Sequence, residues 1–316
     1  MSETRSTRAR VGFNVRRGRA RRAIELIQRA EDAGVETIWM TMGAVGADTP
    51  TMYAAAAVQT ERITLGTSIV PAFTRHPLAL ASQALVLDDL ASGRVRLGIG
   101  TSHGPTMAGS YGMAFDRPLT QLREYLQVLR TVLHTGEVEF RGDYYSAKGR
   151  LPGAPGTPVL ISALSPRSFE LAGELSDGAI SWLGPLDYLA ATARPGLERG
   201  AQRAGRDDVP PLVTHISVTM TDDRAASRAA AQKELGYYPQ LPFYANMFAE
   251  AGYPISDGVY SDELLDQLVI FGDDDGIAEQ LADLLEQGFD ELLVMPVPVD
   301  DREGEEARLI DLIGRL

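Results

Sequence analysis

The sequence predicts an α/β fold, namely a single (β/α)8 barrel of the TIM type that spans residues 1–316. Short β-branched segments alternate with longer helical segments, which is the pattern of a parallel sheet flanked by helices. Eight strands are predicted within 316 residues, and this number fits one closed barrel. Since no segment rich in Pro, Gly or Ser divides the chain, we expect one domain.

Each predicted strand is a short apolar run, and most are followed by a segment with apolar residues at helical spacing. The predicted strands are Val11–Val15, Glu36–Thr41, Arg62–Pro71, Arg94–Gly100, Thr157–Ala163, Gly178–Leu183, Leu212–Met220 and Glu291–Val297. The predicted helices are Arg19–Gly34, Thr51–Gln59, His76–Gly93, Pro118–Leu133, Pro166–Leu175, Asp187–Ala204 and Asp275–Gly288. In the third helix Pro77 stands in the first turn and Gly93 follows the last, as is typical of helix ends.

Two connections are longer than the others, and we expect insertions there, after strands 4 and 7. The first contains helix Pro118–Leu133 in an otherwise irregular segment, and the second, residues 222–271, is predicted to be mostly helical. A cluster of aromatic residues in the second insertion consists of Tyr237, Tyr238, Phe243, Tyr244, Phe248, Tyr253 and Tyr260. These side chains are interpreted as a lid, as a subunit interface or as part of the core.

A doubly wound nucleotide-binding sheet is the alternative fold, and two features of the sequence argue against it. The turn after the first strand, Arg16–Ala20, lacks the Gly-x-Gly-x-x-Gly pattern that this fold carries there. Gly98 and Gly100 are followed by Gly104, one position too late for the same pattern. The sequence therefore favours the barrel.

Composition excludes several classes of function. The 30 Lys and Arg residues against 43 Asp and Glu residues give a formal net charge of -13, which argues against a nucleic-acid partner. The absence of cysteine excludes disulfides and thiolate chemistry. No apolar run is long enough to span a membrane, and Ser2–Arg10 contains no apolar signal segment. We therefore expect a cytoplasmic protein that acts on a small molecule.

The site of a barrel lies at the carboxyl ends of its strands, and the usual hydrolytic residues are missing there. None of predicted strands two to six ends in Asp or Glu, as a glycosidase would need. His76, His103, His134 and His215 form no paired metal-binding motif, so no metal site is predicted. His134 is interpreted as a helix C-terminal residue and His215 as a barrel-lining one. The small, apolar and hydroxyl-bearing strand ends suit an organic cofactor that carries the reaction.

Two segments at these strand ends are candidate binding sites for a polar ligand. Gly100–Thr106 is a short, glycine-flanked loop that can present amides and hydroxyls. Ser165 stands at an N-cap position and Pro166 at the first helical position, so the N–H groups that follow could hold a phosphate, with Arg167 adding positive charge. Each segment also has an ordinary interpretation as a helix cap or a turn.

The segment Glu61–Gly100 resembles the bacterial-luciferase-like monooxygenase family. The shared elements are Leu-Gly-Thr in a strand, Arg75-His76-Pro77, a helix that ends in Leu-Asp-Asp-Leu, and Gly98-Ile99-Gly100. Further similar segments are Ala30–Met40, Pro158–Ser168, Ser176–Trp182 and Asp290–Pro296. The sequence is most similar to the branch that depends on the deazaflavin coenzyme F420, which contains methylenetetrahydromethanopterin reductase.

The resemblance implies a barrel with coenzyme F420 at the carboxyl ends of the strands, or FMN as the alternative cofactor. It also implies a bulge at the end of strand three with a non-prolyl cis peptide between Ser68 and Ile69. The residues that the resemblance implies for cofactor binding are Met42, Ser68, Ile69, Thr101, Ser102, His103, Thr106, Ala163, Leu164, Ser165, Pro166 and Arg167.

The sequence departs from the sugar-phosphate dehydrogenases of this branch at two positions. Their second strand ends in Asp-His, and the loop after their fourth strand carries a catalytic Glu; here the same positions read Met42-Gly43 and His103. The difference argues against a sugar-phosphate substrate. His103 becomes the candidate catalytic acid–base, because imidazole titrates near neutral pH; the alternative is that it only hydrogen-bonds the cofactor.

The resemblance thus implies an oxidoreductase that transfers a hydride between coenzyme F420 and a small, weakly charged organic substrate with an electrophilic C=C, C=N or C=O carbon. One alternative is an FMN-dependent monooxygenase that uses O₂. A further alternative is a non-catalytic flavin-binding barrel. We also expect a homodimer.

Overall fold

Eight parallel strands close into a barrel in the computed structural model, which describes residues 6–15 and 18–316. The strands in chain order are β1 (Val11–Val15), β2 (Thr37–Met40), β3 (Thr64–Thr67), β4 (Val70–Pro71), β5 (Val95–Gly100), β6 (Glu137–Arg141), β7 (Ser146–Arg150), β8 (Val159–Ser162), β9 (Gly178–Ser181), β10 (Leu212–Thr219), β11 (Val269–Phe271) and β12 (Glu291–Pro296). Neighbours around the barrel run β1, β2, β3, β5, β8, β9, β10 and β12, which pairs with β1 again. The predicted (β/α)8 barrel is therefore confirmed.

Helices surround the barrel and mostly follow its strands. They are α1 (Ala20–Ala33), α2 (Thr49–Ala57), α3 (Pro77–Ala91), α4 (Gly104–Tyr111), α5 (Pro118–Thr135), α6 (Pro166–Leu175), α7 (Leu186–Arg203), α8 (Arg224–Leu235), α9 (Pro242–Glu250), α10 (Asp262–Leu268), α11 (Asp274–Glu286) and α12 (Arg302–Arg315). None of the helices in the described ranges is both long and apolar enough to cross a bilayer. Met1–Arg5, and Arg16 and Arg17 of the first predicted turn, lie outside the described residues.

The structure adds elements that the sequence pattern did not predict. In the long connection after β5, strands β6 and β7 form an antiparallel hairpin, because the carboxylate of Glu124 accepts the N–H groups of Asp143, Tyr144 and Tyr145 and thereby fixes its turn. In the connection after β10, the short strand β11 pairs with β10. Helix α12 follows the last barrel strand, β12. The predicted third strand is interrupted between β3 and β4.

The barrel interior is filled by side chains in layers, as in a packed core. Its central layer consists of Trp39, Leu160, Ile180, Val213 and Leu293. Below this layer, towards the amino ends of the strands, the guanidinium of Arg96 lies 4.9 Å from the centre of the Trp39 ring and 2.5 Å from Glu291. Above it, Ile69 and Trp182 pack on the same layer. Because the interior is filled, a ligand has no room between the strands. A site can form at the upper end, where the strands have their carboxyl ends.

Candidate active site

A cavity of about 640 Å³ lies at the carboxyl ends of the barrel strands. Its lining comes from the segments after β2, β3, β5, β8 and β9 and from the residues around α9. A cavity of about 1290 Å³ lies at the opposite end, where its Arg and Glu side chains pair with one another, as Arg96 does with Glu291. Because barrel enzymes build their sites at the carboxyl ends of the strands, we assign the active site to the smaller cavity.

The bulge after β3 forms one wall of this cavity. The peptide bond between Ser68 and Ile69 is cis, as the family resemblance implies. The N–H of Ser68 donates to the carbonyl oxygen of Met40 at 2.9 Å, and the N–H of Met42 donates to that of Ile69 at 3.3 Å. The buried amide of Asn14 donates to the Ser68 hydroxyl at 3.2 Å. Strands β1 and β2 therefore hold the bulge from one side.

Strand β5 holds the bulge from the other side, and its glycines leave the space to do so. A Cβ atom on Gly98 would lie 1.9 Å from the carbonyl oxygen of Thr67, and one on Gly100 would lie 2.2 Å from the Ser162 hydroxyl oxygen. The Thr67 hydroxyl donates to the carbonyl oxygen of Gly98 at 2.7 Å. Any side chain at these positions would displace the wall, which explains the Gly-Ile-Gly pattern in physical terms.

The structure brings together nine of the twelve residues that the sequence predicts for cofactor binding. Those that line the cavity are Met42, Ser68, Ile69, Thr101, Ser102, His103, Thr106, Leu164 and Ser165. Ala163 is buried away from it, Pro166 is part of helix α6, and the side chain of Arg167 is exposed outside the lining. The lining set stays a prediction for the cofactor site, but the geometry does not place Arg167 against a ligand in this cavity.

Helix α4 begins directly at the cavity, so the predicted loop Gly100–Thr106 is in part helical. His103 occupies its N-cap position, and no side-chain hydrogen bond caps the helix. The first helical hydrogen bond runs from the N–H of Met107 to the carbonyl of His103 at 2.9 Å. The N–H groups of Gly104 and Thr106 therefore precede the helical ladder. Ser102 has the left-handed backbone conformation, with φ of 60°.

Helix α6 also begins at the cavity, but its first turn is closed by its own side chains. The N–H groups of Leu164 and Ser165 donate to the Ser168 hydroxyl at 3.0 and 2.8 Å. The N–H of Ser168 donates to the Ser165 hydroxyl at 3.4 Å, which completes a capping box. With Pro166 lacking an N–H, few of the amides that were expected to hold a phosphate remain available for one.

Another wall contains aromatic residues that the sequence analysis did not assign to cofactor or substrate binding. Trp182, at the end of β9, stacks on His215 of β10, with ring centres 3.9 Å apart and planes at 23°. Tyr237, Tyr238, Phe243, Tyr244 and Met247 complete this wall from α9 and the residues before it. The aromatic cluster was visible in the sequence, whereas the contact of Trp182 with His215 joins two strands and could not be read from spacing. His215 lines the barrel, as predicted.

An ion pair between Arg75 and Asp48 supports the segment that follows β2. The guanidinium of Arg75 lies 2.7 Å from the carboxylate of Asp48 and 3.5 Å from the sulfur of Met42. Asp48 also caps α2 by accepting the N–H and the hydroxyl of Thr51. Burial alone would raise the pKa of Asp48, but the hydrogen bonds from Thr51 and Arg75 hold that pKa below its ordinary value. The Arg-His-Pro element of the resemblance thus has a structural function at this site.

The cavity is poor in charge. Within the described ranges, Glu250 is the one Asp, Glu, Lys or Arg side chain that lines it. The carboxylate of Glu250 lies 3.5 Å from the hydroxyl of Tyr188, and burial together with Glu250 raises the pKa of that hydroxyl to about 12. The described residues include no group of three or more His, Cys, Asp or Glu side chains placed to bind a metal ion. Such a lining suits a weakly charged organic molecule.

Comparison with known proteins agrees with this geometry. The family model described as luciferase-like monooxygenase matches residues 5–291. A Mycobacterium tuberculosis protein provisionally named a coenzyme F420-dependent oxidoreductase is 32% identical over 303 residues, which cover 82% of this chain and 86% of that protein. A protein of Intrasporangium calvum named F420-dependent glucose-6-phosphate dehydrogenase is 30% identical over 280 residues, or 82% of this chain and 79% of that protein.

A solved structure shows the same fold. The coenzyme F420-dependent tetrahydromethanopterin reductase of Methanopyrus kandleri aligns with a TM-score of 0.77 and 24% identity over 96% of this chain and 97% of that one. The family match covers most of the sequence, and three of the similar segments, Glu61–Gly100, Pro158–Ser168 and Ser176–Trp182, contribute residues to the lining of the cavity. The chain therefore belongs to the luciferase-like monooxygenase family and is an oxidoreductase.

Proposed function

We propose that the protein is a coenzyme F420-dependent oxidoreductase that transfers a hydride between the deazaflavin and a small, weakly charged organic molecule. One observation carries the proposal: the uncapped N-terminus of α4, with the Thr101, Ser102 and Thr106 hydroxyls, lies in the same cavity as the Ser68–Ile69 bulge. The N–H groups and the dipole of a helix N-terminus can bind an anion even where no Lys or Arg side chain is present. The names of the two relatives reported above, at 32% and 30% identity, support F420 as the cofactor.

The residues present fit a deazaflavin. A cavity of about 640 Å³ is in the range that holds a tricyclic ring together with a small substrate. Its hydroxyls and the Asn14–Ser68 hydrogen bond supply donors and acceptors for the polar edge of such a ring. Met42, Ile69 and Leu164 supply apolar surface for its faces. These residues would hold the ring, and the first turn of α4 would hold the phosphate of its tail.

When bound, the deazaflavin supplies or accepts the hydride. In the reducing direction the substrate gains two electrons: the π bond of its C=X group is replaced by a C–H bond, and a proton goes to the neighbouring atom. His103 lines the cavity and is the side chain that can hold that proton near neutral pH.

Parallel fluorescence titrations of the purified protein with oxidised F420 and with FMN test the proposal. We expect a Kd in the micromolar range or below for F420 and at least tenfold weaker binding of FMN. The reverse preference would instead support an FMN-dependent monooxygenase. Tight F420 binding without turnover on any enone, imine or ketone would support the non-catalytic barrel.

We also propose that the protein forms a homodimer. Val58, at the end of α2, and Val86, on the neighbouring α3, are 64% and 57% exposed, and a dimer interface on this face would cover both side chains. Light scattering on a size-exclusion column measures the mass directly, and a value near the chain mass of 34.2 kDa would contradict the dimer.

A further inference from the structure

Two side chains of the cavity lie three strand positions apart around the barrel. Ile69 follows β3 and Trp182 follows β9, and both pack on the central layer of the barrel interior. Around the barrel, β5 and β8 separate β3 from β9 on one side, and β10, β12, β1 and β2 separate them on the other. A ring that lies against the Ser68–Ile69 bulge therefore leaves Trp182 on a separate wall of the same cavity.

The position of Trp182 is fixed from below. The imidazole of His215, which is 3% exposed, covers one face of the indole at 3.9 Å between ring centres. The Nδ1 atom of His215 accepts the N–H of Leu183 at 3.4 Å, and Leu183 has the left-handed conformation, with φ of 53°. His215 thus contacts both the indole ring and the backbone that follows it. The partly exposed side of Trp182 lines the cavity.

We propose that Trp182, held in place by His215, is the surface on which the substrate lies, and that the substrate presents a flat conjugated group such as an enone or a cyclic imine. Aromatic side chains stack best on flat π systems, and the cavity lining in the described ranges contains no Lys or Arg for a phosphate or carboxylate. Trp182 is then a specificity-determining residue and His215 a positioning residue. The inference rests on the proposed function, because it requires the cofactor at the bulge.

Matched ligands test the inference in protein loaded with oxidised F420. The flat probe is 4-phenylbut-3-en-2-one, and the control probe is 4-cyclohexylbutan-2-one, which has the same carbon skeleton without conjugation. By calorimetry we expect the wild-type protein to bind the enone at least tenfold more tightly. Trp182→Leu should weaken enone binding about tenfold and change binding of the saturated ketone less than threefold. Phe140→Leu, in the β6–β7 hairpin outside the cavity, is the control and should change neither.

The two contacts of His215 are separated by two variants. His215→Phe keeps a ring under Trp182 but loses the acceptor, whereas His215→Asn keeps an acceptor but loses the ring. We expect His215→Phe to retain the preference for the enone, and His215→Asn to lose it together with the near-ultraviolet circular dichroism of Trp182, which the spectrum of Trp182→Leu identifies. An unchanged spectrum and preference in His215→Asn would overturn the positioning role.

The outcome also separates this inference from the proposed function. If F420 does not bind to the wild-type protein, both fail. If F420 binds and the wild-type protein has equal affinity for the two ketones, the substrate inference fails and the proposed function stands. If Trp182→Leu retains the preference for the enone, the indole is not the surface that selects the substrate.

Discussion

Helices α4 and α6 both begin at the active-site cavity, but their first turns are organised in opposite ways. In α6, the hydroxyl of Ser168 accepts the N–H of Ser165 and the hydroxyl of Ser165 accepts the N–H of Ser168, so the first turn is closed. In α4, His103 stands at the N-cap, no side-chain hydrogen bond caps the helix, and the preceding Ser102 is left-handed. A helix N-terminus attracts an anion only through N–H groups that are still available. The helix with the stronger sequence signal is therefore the weaker candidate for the phosphate.

The charges near the N-termini of the two helices also favour α4 over α6 as the place of the phosphate. The hydroxyl of Tyr188 donates to the carbonyl oxygen of Leu164, next to the start of α6, at 3.1 Å, and the same hydroxyl lies 3.5 Å from the carboxylate of Glu250. A carboxylate near this end opposes a bound phosphate. The described part of the cavity lining brings no Asp or Glu other than Glu250. We therefore propose that the anionic tail of the proposed cofactor binds at α4, and the following predictions test that proposal.

The largest effect is expected when α4 is given the cap that it lacks. In His103→Asp, the new carboxylate accepts the N–H of Thr106 and adds a negative charge where the phosphate would bind. We expect the Kd for F420 to rise about 100-fold, because the new carboxylate repels the phosphate and occupies an N–H group that would otherwise bind it. The thermal midpoint should stay constant or rise, since aspartate is a good N-cap. Fluorescence titration and thermal denaturation measure the two quantities.

Ser165→Asp is the matched variant, because it introduces the same charge at the N-cap of α6. It should raise the Kd for F420 less than about fivefold, since only residual charge repulsion acts there. Titration with the deazaflavin riboside that lacks the phosphate is the second control, and neither variant should change its affinity much. Equal losses of F420 affinity in the two aspartate variants would contradict the assignment to α4.

The capping box of α6 should contribute to stability rather than to binding. Ser168→Ala removes the hydroxyl that accepts the N–H groups of Leu164 and Ser165, and it leaves two amides without that partner. We expect a loss of about 1–2 kcal/mol in the free energy of unfolding and less than a threefold change in the Kd for F420. Urea denaturation and cofactor titration test this together. A large loss of affinity at unchanged stability would show that the hydroxyl contacts the ligand.

The contrast between the two helices also shows what the sequence can predict here. The alternation of strands and helices predicts the barrel, because it depends on residues that are close in sequence. The bulge at Ser68–Ile69 follows only from the family resemblance, because the contacts that hold it come from Asn14, Met40 and Gly98. The closed turn of α6 depends on one hydroxyl that accepts two amides, a detail of geometry that the letters Ser-Pro-Arg-Ser do not contain. The stacking of Trp182 on His215 joins neighbouring strands across 33 positions. Asn14 is a polar residue within a buried strand, a pattern that the sequence does contain.

Helix α2 is the reference for a first turn that a carboxylate closes. Asp48 caps it and pairs with Arg75, and the pKa of Asp48 is lowered by these hydrogen bonds in spite of burial. Its stabilising contribution is therefore complete above the ordinary aspartate pKa of about 3.9 and is lost as the pH falls through the lowered pKa of the folded state. Asp48→Asn should cost about 1 kcal/mol at pH 6, and this difference should disappear in strong acid.

Urea denaturation of the wild-type protein and of Asp48→Asn from pH 6 downwards measures this dependence. Ser168→Ala, whose capping groups do not titrate in this range, should show a loss that is independent of pH. A difference between wild type and Asp48→Asn that persists at the lowest pH would show that the amide perturbs packing, and that the charge of Asp48 contributes little.

The smallest effect is expected at Arg167, the residue that the sequence predicts as the positive partner of a phosphate at α6. Its side chain is exposed and does not line the cavity, so bulk water and salt screen its charge. Arg167→Gln should change the Kd for F420 less than about twofold at 0.15 M salt, and the small effect should vanish at 0.5 M. A tenfold loss of affinity that persists at the higher salt concentration would move the phosphate back to α6. Such a loss would require the tail to reach past the closed turn, and His103→Asp would then have little effect.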